Sequence, residues 1–211
     1  MLVDPDGRDV HPADSDTYIV LLNTISPDER QFVVLNHDGN IDYDTMLSHK
    51  SESENYSKLL TMSGSDITYN IYLQADYSYK DNNGKIIDNN HLSSEYEEGY
   101  EDTDFLNTSG LTTGETGRYG ISLLPGKGTS GVNSLDNSAH IYIAPSLSTI
   151  GRAEALSHEL YGHGYLYDKY RDRNKSKHDN RNTMIEYNDE LRNHILRARK
   201  ETVSYFNYLN Y

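Results

Sequence analysis

An α+β fold, with a mixed or antiparallel sheet and two C-terminal helices, is predicted by three features of this sequence. Short apolar and β-branched runs occupy the first two thirds of the chain, whereas two long stretches of near-helical apolar spacing occupy the last third. Residues 66–80 alternate apolar and polar side chains almost without exception. Tyrosine supplies the core that the bare composition hides. Only 35% of the 211 residues are hydrophobic, but 19 are Tyr, whose rings bury large area while the hydroxyl stays paired or wet.

Residues 1–16 hold two of the five prolines and an Asp-Gly step without apolar periodicity, so they read as an entry linker to a single domain over 17–211. Residues 17–23 (TYIVLLN) and 30–36 (RQFVVLN) read as strands flanking a Ser-Pro-Asp turn. Residues 43–62 suit a helix with a wet centre, since their apolar side chains sit at the two ends. In the strand over 66–80, Ile67, Tyr69, Ile71, Leu73, Ala75, Tyr77 and Tyr79 share one face. Asp-Asn-Asn-Gly at 81–84 then turns the chain back into residues 85–87 as a hairpin.

The acidic run over 93–104 reads as a solvated loop, with an electrostatic lure for a basic substrate as the lesser reading. Residues 118–124 and 139–144 are further strands. The Gly-rich loop 125–131 (PGKGTSG) between them lacks the spacing of a phosphate cradle. Residues 148–171 predict a helix, capped near Ser148 and carrying Ile150, Ala153, Leu156, Leu160 and Leu166 on its apolar side. A charged loop over 171–182 leads to a second helix over 183–207, striped by Met184, Leu191, Ile195, Ala198 and Thr202.

Charge and composition exclude several functions. Against 33 Asp+Glu there are 19 Lys+Arg, a net charge of −14, which argues against binding nucleic acid through its phosphates. No stretch approaches the roughly 20 apolar residues of a membrane span. The first residues lack the basic and apolar regions of a secretory signal. With no cysteine, there is no disulfide framework, thiolate metal site or cysteine nucleophile, so any metal must sit on His and carboxylate.

Such a set stands on the first long helix as His158-Glu159-Leu160-Tyr161-Gly162-His163. Two imidazoles with a Glu beside the first suit a zinc hydrolase: the imidazoles hold Zn²⁺ and Glu159 acts as general base. Nine His and 13 Glu give a chance expectation of about 0.02 His-Glu-x-x-x-His motifs per chain. The spacing departs from the usual pentapeptide, however, because at i+5 the second ring lies about 140° round a regular α-helix. A one-residue π-bulge would restore the alignment, and Gly162 is expected to ease that backbone.

This hexapeptide resembles the HEXXGH signature of dipeptidyl peptidase III, a zinc peptidase family, with His158, Glu159, Gly162 and His163 matching it. The resemblance implies a zincin-like fold in which His158 and His163 are ligands, Glu159 is the base, and a Glu on a following helix is the third ligand. Glu186, Glu190, His178 and His194 are candidates for that place. The segment from Glu186 to Arg197 resembles the corresponding segment of gluzincin-type effector peptidases, which favours Glu186, 23 residues beyond His163, over Glu190. Tyr161, Tyr165, Tyr167 and His194 are candidate oxyanion stabilisers. Arg197 is a candidate for orienting a carboxylate, and His140 for lining the cleft. Glu154 reads as solvent-facing.

At the other end, residues 2–9 (LVDPDGRD) resemble the close of the Rhs repeat-associated core, after which effector and toxin domains begin. That resemblance implies the C-terminal cargo of a longer secreted or surface-delivered protein with a cognate immunity protein as partner, while the zinc-peptidase reading implies a protein or peptide substrate. The strand over 139–144 is expected to border the cleft and receive an extended substrate. The competing expectation is a binding module of an Rhs-type surface protein whose metal site is structural or degenerate.

Overall fold

A computed structural model of the chain describes residues 9–92, 119–128, 131–176 and 189–208. The elements run β1 (Val10–Pro12), α1 (Ser15–Leu22), α2 (Tyr43–Leu47), α3 (Glu54–Ser63), β2 (Tyr69–Leu73), β3 (Asp76–Lys80), β4 (Ile86–His91), β5 (Gly120–Leu123) and β6 (Ala139–Ile143). Then come α4 (Thr149–Leu156), a π-helical segment (Ser157–Gly164), α5 (Tyr165–Tyr170) and α6 (Asp189–Tyr208). The fold is α+β, as predicted, with a mixed sheet.

That sheet has the order β1-β2-β6-β5, parallel at its first two pairings and antiparallel where β5 joins β6. Strand β6 is buried along its whole length. On one side Tyr69, Ile71, Ala139, Ile141 and Ile143 meet the helices through Leu156, Leu160 and Tyr161. On the other, Tyr72 and Tyr142 stack at 4.8 Å and pack with Tyr77 of the β3–β4 hairpin. The alternation of strand side chains thus builds both layers.

Several sequence expectations need correction. Residues 17–23 form α1 rather than a strand, because the Asp14 carboxylate accepts the Thr17 amide at 2.7 Å and starts a helix there. Over 30–36 there is one 3₁₀ turn (Arg30–Phe32) and a single bridge, Leu35 to Ile41, because Ser26 and Glu29 close a turn that carries the chain into it. The domain also begins before residue 17, since β1 pairs with β2 and Val10 is fully buried. Residues 43–62 split into α2 and α3, capped by Asp42 and Ser53. The continuous alternation over 66–80 becomes two strands in two sheets, broken at Gln74 and Ala75, with the bend at Ala75 and the Gln74 side chain donating across it to the Asp76 carbonyl.

The hairpin at 81–84 and the strands near 118–124 and 139–144 occur as expected. Strand β6, however, is internal, so it offers no edge to a substrate; among the described residues β5 is the outer strand, and its Ser122 touches Glu159 of the metal-motif helix. Residues 148–171 form one unbroken helical rod, from the Ser148 cap to a left-handed Arg171 at φ +52°. The acidic run over 93–104 lies outside the described residues, as does the start of the helix expected over 183–207.

Candidate metal centre

Six consecutive residues of the rod set the centre, and the helix type decides their geometry. Ser157–Gly164 is π-helical, so its wider turn carries position i+5 back over position i, as the His-x₄-His spacing requires. The Nε2 atoms of His158 and His163 face each other at 3.2 Å. Two ligands about 2.0–2.1 Å from a tetrahedral zinc lie about 3.3–3.4 Å apart, so the pair is spaced for one such ion. A carboxylate oxygen of Glu159 completes a group whose ligand atoms all lie within 4.8 Å of one another. His163 and Glu159 are buried and His158 is partly buried.

Gly162 serves the centre differently from the sequence-based expectation. Its backbone is not in the positive-φ region. Instead, a Cβ there would lie 2.4 Å from Ile195 Cγ1, so the missing side chain lets α6 lie against the π segment. Gly164 similarly leaves room for Met62 and Tyr69. Ser157 links the same two elements through its hydroxyl contact with Thr202 at 2.6 Å.

Two neighbouring segments orient the motif side chains. From β5, Ser122 Oγ donates to Glu159 Oε2 at 2.7 Å. A Cβ at Gly120 would lie 2.7 Å from Glu159 Cγ, so the edge strand admits this side chain only where it carries glycine. From the turn after α5, the Ser176 carbonyl accepts the Nδ1–H of His163. Because a carbonyl only accepts, this bond assigns the proton of neutral His163 to Nδ1 and leaves the Nε2 lone pair facing His158. That is the tautomer a metal ligand needs. Ser122 and Gly120 share a strand face at i and i+2, a signal readable in sequence; nothing local in the sequence marks Ser176.

The other candidates lie elsewhere. Glu190 on α6 is bound to Lys169 at 2.8 Å and to Tyr170 at 2.7 Å. His194 on α6 lies near Glu54 and Glu190 at 3.6 and 3.9 Å and is not part of the His158–Glu159–His163 group. Burial, reinforced by Lys58 and Arg197, holds its pKa down to about 4. Tyr161 is fully buried against Thr24, its hydroxyl pKa pushed up by that burial. Tyr165 packs on His194, and Tyr167 donates to the Pro125 carbonyl at 3.2 Å. Arg197 reaches Glu54 at 3.5 Å on the outer face of α6.

His140 bonds Asp136 at 2.9 Å and Tyr72 at 3.3 Å, on the hairpin side of the sheet. Glu154 faces inward rather than to solvent: it is 2% exposed and takes the Arg199 Nε at 2.7 Å, tying α4 to α6. Glu186 and His178 lie outside the described residues. No family model, curated protein or solved structure matches the chain.

Proposed function

We propose that this chain is a zinc-dependent peptidase domain. The observation that carries the reading is the π-helical turn that brings the His158 and His163 Nε2 atoms to 3.2 Å with the Glu159 carboxylate beside them. His158, His163 and Glu186 would hold Zn²⁺. When bound, the ion supplies Lewis-acid polarisation of a peptide carbonyl and acidifies water.

The chain's own residues supply the remaining chemistry. Glu159 takes the proton from the attacking water and passes it to the leaving amine. Ser122 engages one of its oxygens, Oε2, which fixes the carboxylate plane. Strand β5 pairs with β6 on one side only among the described residues, so an extended peptide has an edge on which to align next to Glu159. The likeness of residues 2–9 to the end of an Rhs core supports delivery as the C-terminal effector of a longer protein, with an immunity protein as partner.

The test is Glu159→Gln, assayed on a denatured peptide library with new termini read by mass spectrometry. Loss of cleavage by about 10²–10⁴-fold with zinc retained is expected for a general base. Equal cleavage by the variant would refute Glu159 as the general base, and no cleavage by zinc-loaded wild type would instead favour a binding module.

A further inference from the structure

The Gly-rich loop over 125–131, rejected above as a phosphate cradle, has another use at its described residues 125–128. Arg173 lies against it, donating from Nη1 to the Gly126 carbonyl at 2.8 Å and to Asn133 Oδ1, and from Nη2 to the Val132 carbonyl at 2.6 Å. Asn133 Oδ1 also takes the Gly128 amide at 2.7 Å, while its amide group holds the Lys80 carbonyl at 2.9 Å. A Cβ at Gly128 would lie 2.6 Å from Arg173 Cζ, so the guanidinium fits only against glycine.

From Arg173 the chain makes a single turn. The Ser176 amide and hydroxyl both donate to the Arg173 carbonyl at 3.2 Å, and the Ser176 carbonyl then receives His163 Nδ1–H. Ser176 is 3% exposed, so water is a poor substitute for that contact. We propose that Arg173, clamped on Gly128 and Asn133, is a positioning residue that sets the Ser176 carbonyl and thereby holds His163 in the Nδ1–H tautomer with Nε2 ready for a metal. This rests on the metal-site reading for its consequence, but the tautomer is a property of the metal-free protein.

The experiment compares full-length wild type with Arg173→Lys, Arg173→Gln and Gly128→Ala. It uses ¹⁵N-histidine NMR of the metal-free proteins and competition with a chromophoric chelator for Zn²⁺ alone, with folding checked by near-UV circular dichroism. In wild type, the Nδ1–H form of His163 is expected. In the folded Arg173→Gln and Gly128→Ala proteins, mixed tautomers and zinc binding weaker by about 10–100-fold are expected, the range for loss of a group that orients a ligand. Arg173→Lys keeps the charge but not the planar fork and should fall between.

An unchanged His163 tautomer in both folded variants would overturn the inference, as would an Nε2–H form in wild type. Failure of wild type to bind zinc would count against the metal reading alone, because the tautomer comparison still decides the role of Arg173.

Discussion

Replacing Gly162 with Ala separates two explanations for that glycine. The π segment meets α6 where Ile195 is fully buried, and a Cβ at 162 would lie 2.4 Å from its Cγ1 and 3.2 Å from its Cδ1. A relaxed carbon–carbon contact is about 3.5–4.0 Å, so Ile195 must yield by more than an ångström at a methylene bonded to its branched Cβ rather than at the flexible tip. Overfilling of this kind costs about 1–3 kcal/mol. Exchanging Gly for Ala within a helix returns about 0.5–1 kcal/mol. Gly162→Ala should therefore destabilise by about 0.5–2 kcal/mol, each kcal/mol lowering Tm by about 2–4 °C for a chain of this size.

In the Ile195→Ala background the obstructing Cγ1 is gone, and the same substitution should be neutral or stabilising by up to about 1 kcal/mol. Urea unfolding of the four proteins in that double-mutant cycle gives the coupling, expected at about 1–3 kcal/mol. If Gly162→Ala costs the same in both backgrounds, the steric reasoning fails, and backbone freedom would be the reason for glycine.

Three further outcomes follow from buried charge and from the ligand assignment. His194 stays neutral in the fold down to about pH 4, whereas the unfolded chain protonates it near 6.5. Stability should thus fall by about 2–3 kcal/mol between those pH values, and His194→Gln should remove that part of the wild-type slope. Arg199→Met would leave Glu154 unpaired and buried, at a cost of about 3–5 kcal/mol at pH 8. Burial raises the Glu154 pKa, so the folded variant takes up a proton and should recover stability relative to wild type as pH falls, seen in urea melts at pH 8 and 5. Glu186→Gln should weaken zinc binding in a chelator competition, whereas Glu190→Gln should not, because Glu190 is engaged by Lys169 and Tyr170.

The parts of the fold that sequence reading recovered are those with one dominant local determinant. Asn-Gly at 83–84 dictates the β3–β4 turn, Ser148 caps α4, and the five-residue step from His158 to His163 requires the π segment. Residues 17–23 misled because a seven-residue apolar run suits either a strand or a buried helix, and the deciding group, Asp14, lies outside the run. The alternation through 66–80 persists across a bend, since side-chain period records facing and not sheet membership. Glu154 looked solvent-facing because its partner, Arg199, is 45 residues away. The Ser176 carbonyl was invisible for a similar reason: a left-handed Arg171 and the Arg173 clamp fold the chain back onto His163, and a backbone oxygen carries no sequence signature.

Zinc content of the folded, chelator-free protein, measured by mass spectrometry beside His163→Ala, tests the metal centre most directly. About one zinc per chain, lost in a variant that keeps its fold, is the expected result for a paired imidazole site. Folded wild-type protein that holds no zinc after dialysis against it would contradict the assignment of His158 and His163 as ligands.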